Sequence, residues 1–477
     1  MPPSCGSEAC NDVMASAFGS GMPAPDRLLV RLTLAQPMPA EAEEARRLAA
    51  GLSDIEWRRF RRLLRHNDVG PLVWTTTHRL GLWESLPPQV RQAIASRRTT
   101  VEQLARVRLA RAGELFDRLA ARGIPVIVLK GVAFGETIYA DPAYKKMNDL
   151  DLLFRPADVP ALREVLRELE LVPLALLDGG EEEDDPQAVP DPRRSYHLPA
   201  HVSRDLTFVL GLHWGLVNPK TGYRLDYDGT WARRQPLRVA GRAVAALSPL
   251  DALHHLGVHF HYYKTGLKEL GDVANLVRAH PDFDWDTFGR MVEEAGTATA
   301  VLRPLRLAEA MYGLTIPARW MQRWRATADP FVGRDTERLA ARADLLAESR
   351  STWSSEIEKA YLAFTFENRF IPKAKWWATF WHRLLLPPRQ VFSRTNACRP
   401  GERSPAWLFA MNLWRTAREV GREYGLAVFG LLMLKSLLEL AASLLASGRG
   451  GRRRMDELRE RLGQDEAQIM AFMASFD

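Results

Sequence analysis

The stretch Val126–Phe154, VIVLKGVAFGETIYADPAYKKMNDLDLLF, decides the fold. Ile127, Val128 and Leu129 form a short uncharged run, the pattern of a strand buried on both faces. Lys130 and Gly131 follow. Gly131 to Tyr139 reads as a helix that Asp141 and Pro142 end. After a polar turn, Asp149 to Phe154 reads as a second apolar strand carrying two acids. Side chains alternate along a strand, so Asp149 and Asp151 share a face. Carboxylates held side by side repel unless a cation sits between them, and a divalent metal is the usual reason for such a pair. Two surface acids at a strand end, neutralised by Lys145 and Lys146, would give the same pattern.

On the N-terminal side, Ala40 to Ala121 is helical in pattern. Ile55, Phe60, Leu63 and Leu64 recur at helix spacing. Pro87 and Pro88 break the chain before a long helix over Val90 to Ala121. That helix carries Leu104, Val107, Leu115 and Leu119 on one side, and its arginines read as a solvated face. On the C-terminal side, Pro160 to Leu169 reads as an amphipathic helix. The acidic run Glu181–Asp185, followed by Pro190 and Pro192, reads as an exposed loop. Leu206 to Leu212 reads as a third strand leading into His213 and Trp214. Tyr223 to Val244 mixes short extended pieces with a turn, and helices run from Ser248 to about Glu348.

The expected fold class is therefore α+β, mainly helical. A small mixed sheet forms a core over 122–246. Helical regions flank it over 26–121 and 247–350, with a Trp- and Arg-rich helical region over 351–477 and a disordered leader over 1–25. At 477 residues, with 46% apolar and 26% charged, the chain is in the globular class and long enough for two or three units. Its three scattered cysteines, Cys5, Cys10 and Cys398, make no disulfide framework and fit a reducing, cytoplasmic setting.

The net charge of +7 permits contact with phosphates, nucleic acid or an anionic membrane without choosing among them. Gly425 to Leu445 is strongly apolar but interrupted by Lys435 and Glu439, which argues against a spanning helix. With Arg449 and Arg452 to Arg454 behind it, the stretch 425–454 reads as a core or partner-facing helix, or as a peripheral contact with the inner membrane. Trp376, Trp377, Trp381, Trp407 and Trp414 read as core, which makes nucleic-acid binding the weaker alternative.

The chemistry gathers at the quoted stretch. A lysine and free backbone amides at a helix start suit phosphate oxygens. Asp149 and Asp151 would hold one or two Mg²⁺ (or Mn²⁺) against a nucleoside triphosphate, with Lys145 and Lys146 adding positive charge.

The run LKG, then Tyr139-x-Asp141-Pro142, then Met147-x-Asp149-Leu150-Asp151-Leu152-Leu153, resembles the uncharacterised nucleotidyltransferase family of bacteria, within the polymerase-beta-like superfamily. LHW at Leu212 to Trp214, LSPLDALHHLGVH at Leu247 to His259 and LKELGDVANLV with Asp272 are similar to further segments of that family. The likeness covers roughly Ser53 to Val277, with LLLPPRQ at Leu384 to Gln390 a weaker echo. The resemblance implies Lys130 and Gly131 at a phosphate-binding turn and Asp149 and Asp151 as metal ligands. Lys145 stands where the family has arginine, which keeps the charge and loses the bidentate fork. Gly211 stands where the family commonly has a third acid, two residues before the histidine.

Two readings follow. One is an enzyme moving a nucleoside monophosphate to an unknown hydroxyl acceptor with release of pyrophosphate, His213 taking a proton. The other is a nucleotide- and metal-binding sensor or scaffold with turnover lost at Gly211. Asp205 lies too far along the strand to stand in for the missing acid, and His259 and Asp272 fall on helices that could close over the site.

Overall fold

The computed structural model describes residues 21–174, 188–260, 266–341, 346, 414, 459–465, 468–469 and 472. Residues 1–20 of the expected leader, the acidic run 181–185, the apolar stretch with its basic tail (425–454) and Trp376, Trp377, Trp381 and Trp407 lie outside the described residues, whereas the leader's last two residues, 24 and 25, open a helix and Trp414, expected in a core, is 54% exposed. The chain divides into two compact units. The first is Met1–Pro219 with Tyr223–Leu346 and Arg454–Asp477, and the second is Lys220–Gly222 with Ala347–Arg453. Every element named below belongs to the first.

The N-terminal part is helical, as its spacing predicts: α1 (Ala24–Arg31), α2 (Pro39–Gly51), α3 (Asp54–Asn67), α4 (Gly70–Arg79) and the long α5 (Pro88–Ala121). Local signals set the boundaries. At α3, Glu56 reaches back to accept from the Ser53 amide at 2.8 Å, which satisfies a helix-start donor. At α5, Pro88 occupies the first turn, where its missing N–H is harmless. Two residues depart from the expected apolar faces. Ile55 is 67% exposed and Val107 45% exposed. The buried face of α5 instead runs through Val101, Ala105, Ala112, Leu115, Phe116 and Leu119. Small alanines form part of it, and a rule that counts only large apolar side chains misses them.

The sheet has seven strands in the order β3-β4-β5-β2-β1-β7-β6. They are β1 (Ile127–Val128), β2 (Leu150–Leu153), β3 (Val172–Pro173), β4 (His201–Val202), β5 (Val209–His213), β6 (Gln235–Val239) and β7 (Arg242–Ala246). The sheet is mixed: β1 runs antiparallel to β2 and parallel to β7, and β2 runs parallel to β5. The helix α6 (Lys130–Thr137) follows β1 and α7 (Val159–Glu168) follows β2. The second strand begins one residue later than its sequence suggests. Its ladder with β5 opens at Leu150 opposite Leu210, so Asp149 is the residue that leads into the strand. Between Tyr223 and Val244 the chain also forms an unexpected short helix, α8 (Tyr227–Arg233), capped where Asp226 accepts from the Gly229 amide and anchored by buried Trp231.

The rest is helical: α9 (Pro249–His259), α10 (Leu267–Arg278), α11 (Trp285–Ala295), α12 (Ala298–Tyr312), α13 (Ala318–Thr327) and α14 (Pro330–Ala340). Strand alternation sorts the sheet into two faces. Val128, Leu150, Leu152, Leu210 and Leu212 pack with Leu115, Phe116 and Leu119 of α5 and Leu162, Val165 and Leu166 of α7. Ile127, Leu129 and Leu153 belong to the other core, built by α1–α4 and α9–α13. Asp151, Gly211 and His213 share their parity and so point to this second face. Near the end of the described chain, Leu462 and Ile469 pack beside Val172, Val202 and Val209 at the β3 side of the sheet. Among the described residues no helix is long and apolar enough to cross a membrane.

Candidate active site

The site forms where β1 ends and β2 begins. The Leu129 amide donates to the Asp151 carbonyl at 2.9 Å, which locks the lysine turn beside the acid strand. Lys130 then turns sharply into α6 with φ of +43°, a left-handed conformation rare outside glycine. Such backbone persists only where surrounding structure holds it, and it concentrates at functional sites. Gly131 is required for a different reason. A Cβ there would stand 2.8 Å from Met147 Sδ and 2.9 Å from its Cγ, so the loop leading to Asp149 closes directly over the glycine.

Lys130 Nζ lies 3.0 Å from Asp151 Oδ2 and 3.2 Å from His259 Nε2 of α9. His213 Nε2 lies 3.1 Å from Asp151 Oδ1. Asp151 thus has a cationic or hydrogen-bonding partner on each oxygen. Burial pushes its carboxyl up, but Lys130 and His213 outweigh burial and hold it well below the usual carboxylate range. Burial, with the charge of Lys130, holds His259 well below the ordinary imidazole value, so it is neutral and accepts from the lysine.

Asp149 is the opposite case. It stands exposed at the rim, and among the described residues no other side chain pairs with it. Crowding by protein and the Asp151 carboxylate raise it to about 6, and water at the rim offsets part of the first effect. The pair therefore carries negative charge that Lys130 relieves on one side only.

Lys145 comes within 3.8 Å of the place a Cβ on Gly131 would take, and its ammonium pairs with buried Asp272 of α10. Asp272 also accepts from Tyr139 at 2.9 Å. The two residues expected to close over the site do reach it: His259 through Lys130, and Asp272 through Lys145. The structure thus brings together Lys130, Gly131, Lys145, Asp149, Asp151 and His213. Asp205 is tied up elsewhere, by Arg111 at 3.3 Å and by Thr207 at 2.9 Å. Gly211 lies directly opposite Asp151 in the ladder, and a Cβ there would fall 2.2 Å from Asp151 Oδ1 and 3.0 Å from His213 Nε2. The absent side chain is what lets Asp151 and His213 meet.

Sequence reasoning missed Arg108. Read as part of a solvated face, it is half-buried, donates to the Thr207 carbonyl at 3.1 Å and to the Met147 carbonyl, and so clamps the approaches to β5 and β2. Burial lowers its pKa, and the nearby Asp149 charge opposes that. Nothing in the spacing of α5 separates Arg108 from the exposed arginines around it.

Among the described residues no group of three or more His, Cys, Asp or Glu is gathered closely enough to hold a metal alone. Magnesium typically takes one or two carboxylates and completes its shell with water and substrate phosphates, so Asp149 and Asp151 fit that smaller donor set. No curated protein and no solved structure matches the chain. The model of the uncharacterised nucleotidyltransferase family matches residues 53–313, from α3 to just past α12 and across the whole site. That match spans more than half of the 477 residues, and the chain belongs to the uncharacterised nucleotidyltransferase family.

Proposed function

We propose that this site transfers a nucleoside monophosphate from a nucleoside triphosphate to a hydroxyl acceptor, with pyrophosphate as the leaving group and Mg²⁺ or Mn²⁺ held by Asp149 and Asp151. The observation that carries the reading is the Asp149 carboxylate, which no other described side chain pairs, beside Asp151 and a lysine-led helix start. The α6 amides and Lys130 would bind phosphate oxygens, because orphan N–H groups and the helix dipole favour anions there. Lys145, placed by Asp272, would add charge on the Gly131 side. Bound between the two acids, the cation would neutralise phosphate charge and polarise the transferring group. Lys130 would exchange its contact with Asp151 for the phosphates, while His213, which contacts Asp151, would take the acceptor proton.

A second reading is that the site binds nucleotide without turnover. It is favoured by Gly211, which leaves no third carboxylate on the strand opposite Asp151. The deciding experiment incubates the full chain with each labelled triphosphate and Mg²⁺ or Mn²⁺. Label moving onto the protein or an added acceptor, lost in Asp149→Ala and Asp151→Ala, supports transfer. Metal-dependent binding with no pyrophosphate released supports the second reading. Nucleic acid remains the less favoured acceptor, and contact with the inner membrane or a partner through 425–454 is a proposal resting on sequence alone.

A further inference from the structure

Around the loop that leads to Asp149, α3, α5 and α10 gather cations besides Lys130 and Lys145. At the end of α3, Asp68 accepts from Arg97 of α5 through both oxygens, each contact 2.6 Å. Lys268 of α10 reaches the same carboxylate at 3.4 Å. The start of α10 is pinned there, because the Leu267 amide donates to the Asn67 side chain at 3.2 Å. Arg108 lies about three turns beyond Arg97 on α5, hence on the same face, and donates to the Met147 carbonyl next to Lys146.

Lys146 is the hub of this cluster. It is partly buried, and burial together with the charges of Arg97, Arg108 and Lys268 lowers its pKa, with Asp68 opposing them. Glu269, the residue after Lys268, tempers that lysine, but burial raises its own carboxyl and weakens the offset. Like charges crowded together cost stability, and an anion with several acceptor oxygens relieves them. The triphosphate is provided for elsewhere, by Lys130, the α6 amides and Lys145 on the Gly131 side. Lys130 meets the acid pair at Asp151, whereas Arg108 meets it at Asp149. In-line displacement needs the attacking and leaving oxygens at opposite ends of the transferring group, so the two cationic sets suit two different anions.

We infer that Arg97, Lys146, Arg108 and Lys268 bind a phosphate group carried by the hydroxyl acceptor, so that the acceptor is a phosphate ester rather than a neutral molecule. The inference rests on the nucleotide-transfer reading and names its acceptor class. The ester's hydroxyl oxygen would form the new bond to the α-phosphorus as the bond to the bridging oxygen breaks. Pyrophosphate then leaves with that electron pair, and the hydroxyl proton passes to His213.

The test is calorimetric titration of the full chain, saturated with Mg²⁺ and a non-hydrolysable triphosphate analogue, with glycerol 3-phosphate, inorganic phosphate and glycerol. The two phosphates should bind and glycerol should not, and added salt should weaken the binding by screening the charges. Lys268→Gln and Lys146→Gln should each weaken glycerol 3-phosphate about tenfold, the loss of one charge-assisted contact. Asp68 keeps Arg97 when Lys268 is replaced, so the melting temperature of that variant should hold. Its affinity for the analogue should be unchanged. The inference is overturned if neither phosphate binds, if glycerol binds equally well, or if binding survives both substitutions. It is also overturned if Lys268→Gln weakens the analogue as much as the ester, which would give the cluster to the triphosphate's own tail. Failure of the transfer reading is separate: the analogue would then show no dependence on Asp149 or Asp151, while glycerol 3-phosphate would still bind the chain without it and still respond to Lys268→Gln.

Discussion

The two faces of the sheet are built from the same strands and obey opposite rules. Toward α5 and α7, Val128, Leu150, Leu152, Leu210 and Leu212 close an apolar layer. Toward α9 and α10, the alternate positions carry Asp151, Gly211 and His213, and the helices answer with His259 and Asp272. One residue of offset separates a face that only packs from a face that gathers charge. The difference teaches that the apolar face holds the register, and the register places the charges.

The largest break in that contrast should come on the polar face. Asp151→Ala is expected to lower nucleotide transfer about a thousandfold, roughly 4 kcal/mol in the barrier, measured as labelled product formed per unit time. Leu152→Ala, one residue away on the other face, should instead cost about 2–5 kcal/mol of stability in a denaturant titration. Nucleotide affinity at temperatures where that variant stays folded should change little.

Gly131→Val is smaller and sharpens the role of the covering loop. The new side chain meets Met147, so stability should fall by about 1–3 kcal/mol, and adding Met147→Ala should recover part of the loss. A melting series of the two single variants and the double variant checks the coupling.

The smallest effect is a difference in pH response between the two acids. Asp149 has its carboxyl at about 6 in the fold against an ordinary 3.8, so the folded state holds more protons between those values. Its contribution to stability therefore falls as pH rises through that window. Asp151, held low by Lys130 and His213, contributes stability above its unfolded value and loses it as pH falls through the depressed one. Asp149→Asn should thus make the chain relatively more stable at pH 7 than at pH 4, whereas the cost of Asp151→Asn should stay constant over that range and shrink only as pH falls below the ordinary 3.8. Melting temperatures followed from pH 7 down into the acid range below that value measure both signs.

Much of this was legible in the sequence, for physical reasons that can be named. The uncharged run Ile127–Leu129 and the period-2 placement of Asp149 and Asp151 express burial and pleat, which are local. The Pro88 boundary was equally local. What could not be read depends on distant partners. The clamp of Arg108 on Met147 and Thr207 joins a helix to two loops. The α8 helix hid because its seven residues bury only the adjacent Thr230 and Trp231, too short a segment for a period to emerge.

The central claim is that Asp149 and Asp151 hold a cation only together with nucleotide phosphates. Electron paramagnetic resonance of Mn²⁺, with and without a non-hydrolysable triphosphate analogue, tests it most directly. The account predicts that the full chain immobilises Mn²⁺ when the analogue is present, binds it weakly or not at all without it, and loses the signal in Asp149→Ala and Asp151→Ala. Tight Mn²⁺ binding without the analogue, or an unchanged signal in either variant, would contradict it.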